Sequence, residues 1–226
     1  MPRKIIHLDL DAFFCAVEEQ RDPALSGKPF AVGGKPDQRG VVSSCSYAAR
    51  LRGVRSAMPM GRALRICPEL IVVSGHYKLY SEASHKVMDI LRQATPLLEQ
   101  VSIDEAFLDV SDLSEPVELL CRRLQAEIHQ KVGLPCSLGA ATNKLVAKIA
   151  TDAGKAACLR AGGAPHPPNA ITVVPPGEEA AFLRPLPVQA LWGVGPKTAE
   201  RLQALGIHTI GELADCPAED MAKLFG

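Results

Sequence analysis

The stretch "VSIDEAFLDV", residues 101–110, sets two carboxylates side by side inside an apolar run. Val101, Ile103, Phe107, Leu108 and Val110 read as a buried strand or hairpin, and burying even one uncompensated carboxylate there is costly. Asp104 and Glu105 therefore need a turn that lifts them towards water or a partner that neutralises them. The stretch "KIIHLDLDAFF", residues 4–14, makes the same demand. Its strand pattern puts Ile6, Leu8 and Leu10 on one face and Ile5, His7 and Asp9 on the other, and Asp9 and Asp11 close the run.

The pattern after Asp11 is helical: "AFFCAVEEQ", residues 12–20, places Phe13, Ala16 and Val17 at i, i+3 and i+4. Asp11 stands where an N-cap belongs. "SGKPFAVGG" reads as a turn and a short strand. "GVVSSCSYAARLRGVRSAMP" reads as a strand and a short helix carrying Tyr47 and Arg50 on one face. Residues 77–95 form a helix with Tyr80, Ala83, Val87 and Leu91 in register. The acidic stretch, 98–110, is a hairpin. Residues 115–131 form a helix whose apolar face is Val117, Leu120, Cys121, Leu124 and Ile128. "PCSLGAAT" is a strand, and "NKLVAKIATDAGK" a helix capped by Asn143.

With residues 11 to about 76 set aside as an insertion, the order is strand, helix, strand, strand, helix, strand. This is the ferredoxin-like split βαβ plan, an α+β fold. In it the first strand lies antiparallel beside the central hairpin, so Asp9 is expected to meet Asp104 and Glu105. Within the hairpin the inward phase changes from odd positions (Val101, Ile103) to even ones (Leu108, Val110). A turn or bulge at the change would aim both acids out of the sheet; two solvated turn acids are the plainer alternative. After Lys155, the Pro-, Gly- and Ala-rich "AACLRAGGAPHPPNAITVVPPGEE" reads as a loop, a strand and a linker. Short helices separated by Gly turns follow from about residue 178.

Two bare carboxylates roughly 4 Å apart repel by about 4 kcal/mol at an effective dielectric near 20. Three converging acids need protons or a cation. Mg²⁺ suits them, because it takes oxygen ligands and binds through one or two carboxylates plus substrate phosphates. Two such ions about 4 Å apart clamp the attacking and leaving oxygens of a phosphoryl displacement. The helix start after Leu10 offers free N–H groups to phosphate, and Tyr47, Arg50 and Lys155 are further candidate donors. Phe13 and Phe14 cannot both face one core. Phe13 fits the apolar face, which leaves Phe14 as a platform under a sugar or as a second core residue. Near the end, "LWGVGPKTAERLQALGI", residues 191–207, joins a Gly-x-Gly turn to a helix ended by Gly206. Gly193 and Gly195 would let the backbone approach a phosphate, with Lys197 and Arg201 adding charge. Contacts of this kind position DNA without reading its sequence.

The formal net charge is zero, yet residues 28–65 carry eight basic side chains against one acid, Asp37. That local +7 suits a surface facing phosphates, or a solvated basic face. At 47% hydrophobic and 22% charged residues, the chain reads as soluble and globular. No apolar run approaches a membrane span, and "MPRK" leads into a strand pattern. Seven cysteines, an odd number with no CxxC pair, argue against a disulfide framework or a zinc site and fit a reducing, cytoplasmic setting.

The segments "HLDLDAFFCAVE", "SYAARLRGVRSAMP", "SIDEAFLDV", "NKLVAKIATD" and "GVGPKTAERLQALGI", in that order, resemble the Y-family translesion DNA polymerases of the DNA polymerase IV type. The resemblance implies a palm (1–10 and about 77–165), inserted fingers (11–76) and a thumb (about 166–226) with a helix-hairpin-helix. It implies two Mg²⁺ ions held by Asp9, Asp104, Glu105 and the Leu10 carbonyl, with Glu105 a ligand or an aid to deprotonation. Phe14 matches the steric gate against ribonucleotides, beside Phe13. Tyr47, Arg50 and Lys155 match residues that hold the triphosphate. Gly193, Gly195, Lys197 and Arg201 fall on the DNA-binding thumb motif. The implied partners are primer-template DNA, deoxynucleoside triphosphates and a sliding clamp bound through a region beyond Gly226, with a monomeric chain. The implied reaction is error-prone, lesion-bypassing nucleotide transfer. The sequence departs from the family twice: it stops before a little finger domain, and "GKAACLRAGGAPHPPN" replaces a shorter Pro-Asn-Gly-like stretch. A nucleotide cyclase on the same sheet plan and a non-catalytic DNA-binding or scaffold protein are the rival readings.

Overall fold

Strand β1 (Ile5–Leu10) is the middle of a five-stranded sheet, and its alternation decides what each face of that sheet meets. The structure is a computed structural model describing residues 2–163 and 166–225. Positions 164 and 165 of the Pro- and Gly-rich loop, and the terminal residues 1 and 226 of the expected palm and thumb, lie outside the described residues.

The chain continues through α1 (Phe13–Arg21), β2 (Phe30–Gly33), β3 (Val42–Cys45), α2 (Tyr47–Leu51), α3 (Met60–Ile66), β4 (Ile71–Val73) and α4 (Tyr77–Ala94). Then come β5 (Leu98–Gln100), β6 (Glu105–Asp109), α5 (Val117–Val132), β7 (Cys136–Ala141), α6 (Lys144–Cys158) and β8 (Ile171–Val173). Four short helices close the chain: α7 (Glu179–Leu183), α8 (Pro196–Ala204), α9 (Ile210–Ala214) and α10 (Ala218–Phe225).

The large sheet runs β5-β6-β1-β7-β8. Its first four strands have the ferredoxin-like order, with β1 antiparallel to both β6 and β7; β8 extends the sheet parallel to β7. Ile6, Leu8 and Leu10 pack with Ala106 and Leu108 against Val87 and Leu91 of α4 and Leu120 and Leu124 of α5. The opposite face, with Ile5 and Phe107, is covered by Val146, Ala147 and Ala150 of α6. A sheet covered on both faces buries every residue of β7. Residues 30–73 hold a separate three-stranded sheet, β3-β2-β4, around Ala31, Val42, Met60 and Ala63. The sequence reading did not find α3 and β4 there, because each is under two turns or three residues long and shows no full period. Phe30, Val32 and Tyr47 pack into the large core instead, as do Phe13, Cys15 and Val17 of α1.

The expected Asn143 cap is present: its side chain accepts from Val146 N at 2.9 Å. Two local expectations fail. Asp11 does not cap α1; Ala12 is the N-cap residue, in the left-handed region at φ 47°, with no side-chain cap. Val101 is 41% exposed rather than buried, because residues 101–104 form the turn of the hairpin and β6 starts only at Glu105. All seven cysteines are free thiols, five of them buried. No helix among the described residues is long and apolar enough to cross a membrane.

The close approach of α6 to the sheet is made at Gly139 of β7. A Cβ there would stand 2.1 Å from the Ala147 carbonyl oxygen and 2.4 Å from the Thr151 amide nitrogen. Both are backbone atoms, so the helix itself would have to move. Gly139→Ala is expected to cost at least about 1–3 kcal/mol, the range of an overpacked core, seen as a lower urea midpoint at unchanged slope. An unchanged midpoint would contradict this account of the contact.

Candidate active site

Asp9 and Glu105 face each other across the β1–β6 ladder as Cα partners in register. Both lie on the α6 side of the sheet, with His7 and Phe107. Helix α6 answers with Lys148, Asp152 and Lys155, at i, i+4 and i+7 on one face. Lys155 ion-pairs with Asp9 and lies 3.2 Å from Asp11. Lys148 donates to Glu105 at 2.6 Å. The sequence reading missed Lys148, Asp152 and His7. The spacing on α6 was the available signal for the first two; His7 showed only as one more residue on the face of Asp9.

Asp11 is fully buried, and its job is tertiary. Its carboxylate accepts from Ser137 Oγ at 2.9 and 3.0 Å and from the Asn169 amide at 3.1 Å. Burial pushes its carboxyl up, against the pull of Lys155 and Ser137. Burial would lower Lys155, but Asp9 and Asp11 win and hold its ammonium above the usual lysine range.

The adjacent acids of the hairpin have opposite electrostatics. Asp104 sits in the turn, takes a hydrogen bond from Ser102 Oγ at 2.6 Å, and accepts the Leu10 amide on its backbone carbonyl at 2.9 Å. Burial, and then the charges of Asp9 and Glu105, raise its carboxyl despite Ser102. Burial would also raise Glu105, but Lys148 and then His7 bring it below the ordinary range. His7 lies 3.3 Å from Glu105 and 2.9 Å from Thr151. Burial, with Lys148 nearby, lowers it to about 4, so it is neutral at pH 7. Among the described residues no three acidic, histidine or cysteine side chains form a ready metal cluster. Each acid already has its own partner: Lys155 for Asp9, Ser102 for Asp104, Lys148 and His7 for Glu105.

Asp9, Leu10 and Asp104 line a cavity of about 310 Å³ together with Phe13, Phe14, Ser43, Arg50, Asp152 and Lys155. Phe14, half-buried, stacks on Tyr80 with ring centres 4.4 Å apart and planes at 16°. Phe13 is core, as its helix face implied. Glu105 does not line this cavity, and neither does Tyr47, which is buried with the Arg50 guanidinium 4.7 Å above its ring. Of the eight basic residues between 28 and 65, all but Arg50 are exposed, and among the described residues only Arg52 is ion-paired, to Glu69.

At the other end, Gly193 takes φ 97°, and Gly195 is the N-cap residue of α8 with no side-chain cap. Ala199 and Leu202 bury the inner face of α8, and Lys197 is exposed. Arg201 points elsewhere: its guanidinium donates to the Leu224 carbonyl at 2.5 Å and covers the Phe225 ring.

Comparison with known proteins places the chain in a family. Residues 8–152 match the impB/mucB/samB family. The chain belongs to that family. Residues 176–207 match its helix-hairpin-helix motif, described as the IMS family HHH motif. The DNA polymerase IV of Pseudomonas putida strain GB-1 is 43% identical over 228 residues, covering 99% of this chain and 61% of the relative. That of Alkalilimnicola ehrlichii is 39% identical over 227 residues, with 99% and 61% coverage. Among solved structures, DinB from Sulfolobus solfataricus superposes with a TM-score of 0.88 at 32% identity, covering 99% of this chain and 63% of its own. An insertion ternary complex of Dbh DNA polymerase gives 0.86 at 32% identity, with the same coverage. The chain spans about three-fifths of the length of the relatives it matches.

The two hairpin acids should separate in a stability measurement. Asp104 has a raised folded value, so stability falls as pH rises from the ordinary aspartate range through it. Glu105 has a lowered one, so its stabilisation is full above the ordinary glutamate range and is lost as pH falls. In EDTA at pH 7, Asp104→Asn should leave the fold as stable as the parent or more so. Glu105→Gln should cost about 1–3 kcal/mol, because it strips Lys148 and His7 of their partner. Both differences should shrink below pH 4. Urea unfolding at the two pH values reads this directly, and equal effects of the two changes would refute it.

Proposed function

We propose that the chain carries the nucleotide-transfer centre of a template-directed DNA polymerase. The observation that supports this most is the shared cavity: it joins three acids, a stacked Phe and two cationic side chains, a set found nowhere else among the described residues. We read β1 with residues 77–165 as palm, 11–76 as fingers and 166–226 as thumb.

The donors around Asp9 are all oxygen: Asp9, Asp104, Glu105 and the Leu10 carbonyl. That set fits a hard divalent cation, and after burial the charges of Asp9 and Glu105 add to what raises the Asp104 carboxyl. We assign the site to two Mg²⁺ ions, which when bound supply charge neutralisation at the attacking and leaving oxygens. The rest is the work of side chains. The Lys155 ammonium, now on Asp9 and Asp11, and Arg50 at the cavity wall are placed to hold triphosphate oxygens. Tyr47 backs Arg50 and keeps its guanidinium in place. The uncapped start of α1 offers N–H groups to the same phosphates. Phe14 forms the floor under the sugar. The primer 3′-hydroxyl gives up its proton to solvent and attacks the α-phosphorus; a new P–O bond forms as the bond to the α,β-bridging oxygen breaks, and pyrophosphate leaves with that electron pair. We infer primer-template DNA as partner from the exposed basic run and the Gly193–Gly195 turn; lesion bypass rests on the resemblance to the Y-family polymerases alone.

Labelled primer extension tests the reading. Templated addition should require Mg²⁺, stop in EDTA and fall to background in Asp104→Asn. Phe14→Ala should raise ribonucleotide insertion while deoxynucleotide insertion persists; an unchanged ratio in a folded, active variant would return Phe14 to the core. No extension by the parent chain with primer-template, all four nucleotides and Mg²⁺ would overturn the proposal.

The thumb offers a separate check. A Cβ at Gly195 would meet nothing within 4 Å, so Gly195→Val should fold normally. If the turn binds backbone phosphates, that change should weaken binding by similar factors on unrelated duplexes, and the binding should be salt-dependent. Trp192, the chain's single tryptophan, is 50% exposed and adjacent to Gly193, so its fluorescence can follow the titration. A loss confined to one DNA sequence would contradict the backbone-contact model.

A further inference from the structure

Glu18 is an ionisable side chain with no solvent exposure at all, and nothing in the proposed chemistry uses it. Burying a carboxylate is costly unless donors surround it. Here they do. Oε1 accepts from the Tyr80 hydroxyl and lies 2.8 Å from His76 Nδ1, and Oε2 accepts from Arg21 Nε at 2.9 Å. Burial would raise the carboxyl, but Tyr80, His76 and Arg21 outweigh it and hold Glu18 below the usual range. An apolar side chain of similar size would fill the same space without that desolvation cost.

The position of Glu18 shows what the charge does. Phe14 and Glu18 are four residues apart on α1, so they share a face. Tyr80, arriving from α4, meets both. Its ring stacks on Phe14, and its hydroxyl reaches Glu18. The same hydroxyl accepts from the His76 amide at 3.0 Å, so both its donor and its acceptor roles are filled. Tyr80 is 1% exposed and is fixed at the hydroxyl end and along its ring. Phe14 rests on that ring, at the wall of the nucleotide cavity. The height of Phe14 in the cavity is therefore set through Tyr80 by Glu18, and small displacements near a reacting group have large effects.

We propose that Glu18 is a positioning residue for sugar selection: its buried carboxylate locks Tyr80, and Tyr80 holds the Phe14 ring where a ribose 2′-hydroxyl would need to go. The inference rests on the reading of Phe14 as the residue under the sugar.

The test is single-nucleotide insertion opposite a template dG, with kcat and KM measured for dCTP and CTP. Glu18→Ala should reduce the dCTP/CTP ratio of kcat/KM at least about tenfold, the scale of one hydrogen bond to a charged group. The change should appear chiefly as a lower KM and higher kcat for CTP, not as a common loss for both sugars. Glu18→Gln, which keeps an acceptor for Tyr80, should restore most of the ratio. In a Phe14→Ala background, Glu18→Ala should add nothing, because the ring that transmits the effect is gone. An equal decline for both nucleotides, no rescue by Gln, or a full effect without Phe14 would overturn the proposal. Should Glu18→Ala not fold, Tyr80→Phe keeps the ring and core volume and removes only the hydroxyl; an unchanged ratio there overturns it too. Phe14→Ala alone separates the two ideas. If it leaves the ratio unmoved, the reading of Phe14 fails; if it moves the ratio and the Glu18 and Tyr80 changes do not, only the role of Glu18 fails.

Discussion

The pairing of β1 with β6, Asp9 opposite Glu105, is the constraint on which the rest depends. Side chains alternate along a strand, so a slip of one residue would exchange the faces of the whole strand. Asp9 and His7 would then enter the apolar layer under α4 and α5, and Ile6 and Leu8 would meet the lysines of α6. The register is held from both sides. Ile6, Leu8 and Leu10 fill the first layer, and Ile5 and Phe107 fill the second. The apolar core thus brings the acids together at a cost they would not bear on their own. Helix α6 then offsets that cost by laying Lys148 and Lys155 over them, and Gly139 lets it come close enough to do so.

Much of this was legible because the long elements are periodic. Strands β1 and β7 and helices α4, α5 and α6 carry full repeats, and their order alone names the sheet plan that joins Asp9 to the hairpin. The misreadings have two causes: a local rule outvoted by distant partners at Asp11, and a turn that begins earlier than the alternation suggests at Val101. The sequence pattern puts an N-cap at Asp11, but the cap residue is Ala12, and Ser137, Asn169 and Lys155, all more than 120 positions away, claim the Asp11 carboxylate. Val101 alternates with Ile103 as a strand would, yet both precede the first residue of β6 and belong to the turn. Lys148 lies within the "NKLVAKIATD" segment and on the helix face of Asp152 and Lys155, but its partner Glu105 appears only when α6 is laid on the sheet.

Net charge misleads here for a similar reason. The chain balances to zero, but the balance is uneven in space. Asp9, Asp11 and Glu105 are paired with lysines, whereas nearly all the basic residues between 28 and 65 are exposed and, among the described residues, without acidic partners. Unpaired cations on one surface set a field that a phosphate backbone meets at a distance, whatever the total. Arg201 is the counterexample from the thumb. Its exposed guanidinium donates to the Leu224 carbonyl and covers the Phe225 ring, joining α10 to α8.

The half-buried acids of the candidate site and the fully buried Glu18 differ in what compensates them. Asp9 and Glu105 are matched by lysines, whose single ammonium on a long flexible stem can leave one oxygen for another at little structural cost. Such a pair is exchangeable: a phosphate can take the lysine, and another cation can take the acid. Glu18 is matched by a phenol, an imidazole and a guanidinium rooted in two helices, with the phenol's ring packed flat on Phe14. Releasing that carboxylate would require α1 and α4 to part. One arrangement suits a site that must change partners in each cycle, and the other suits a surface that must not move while it does.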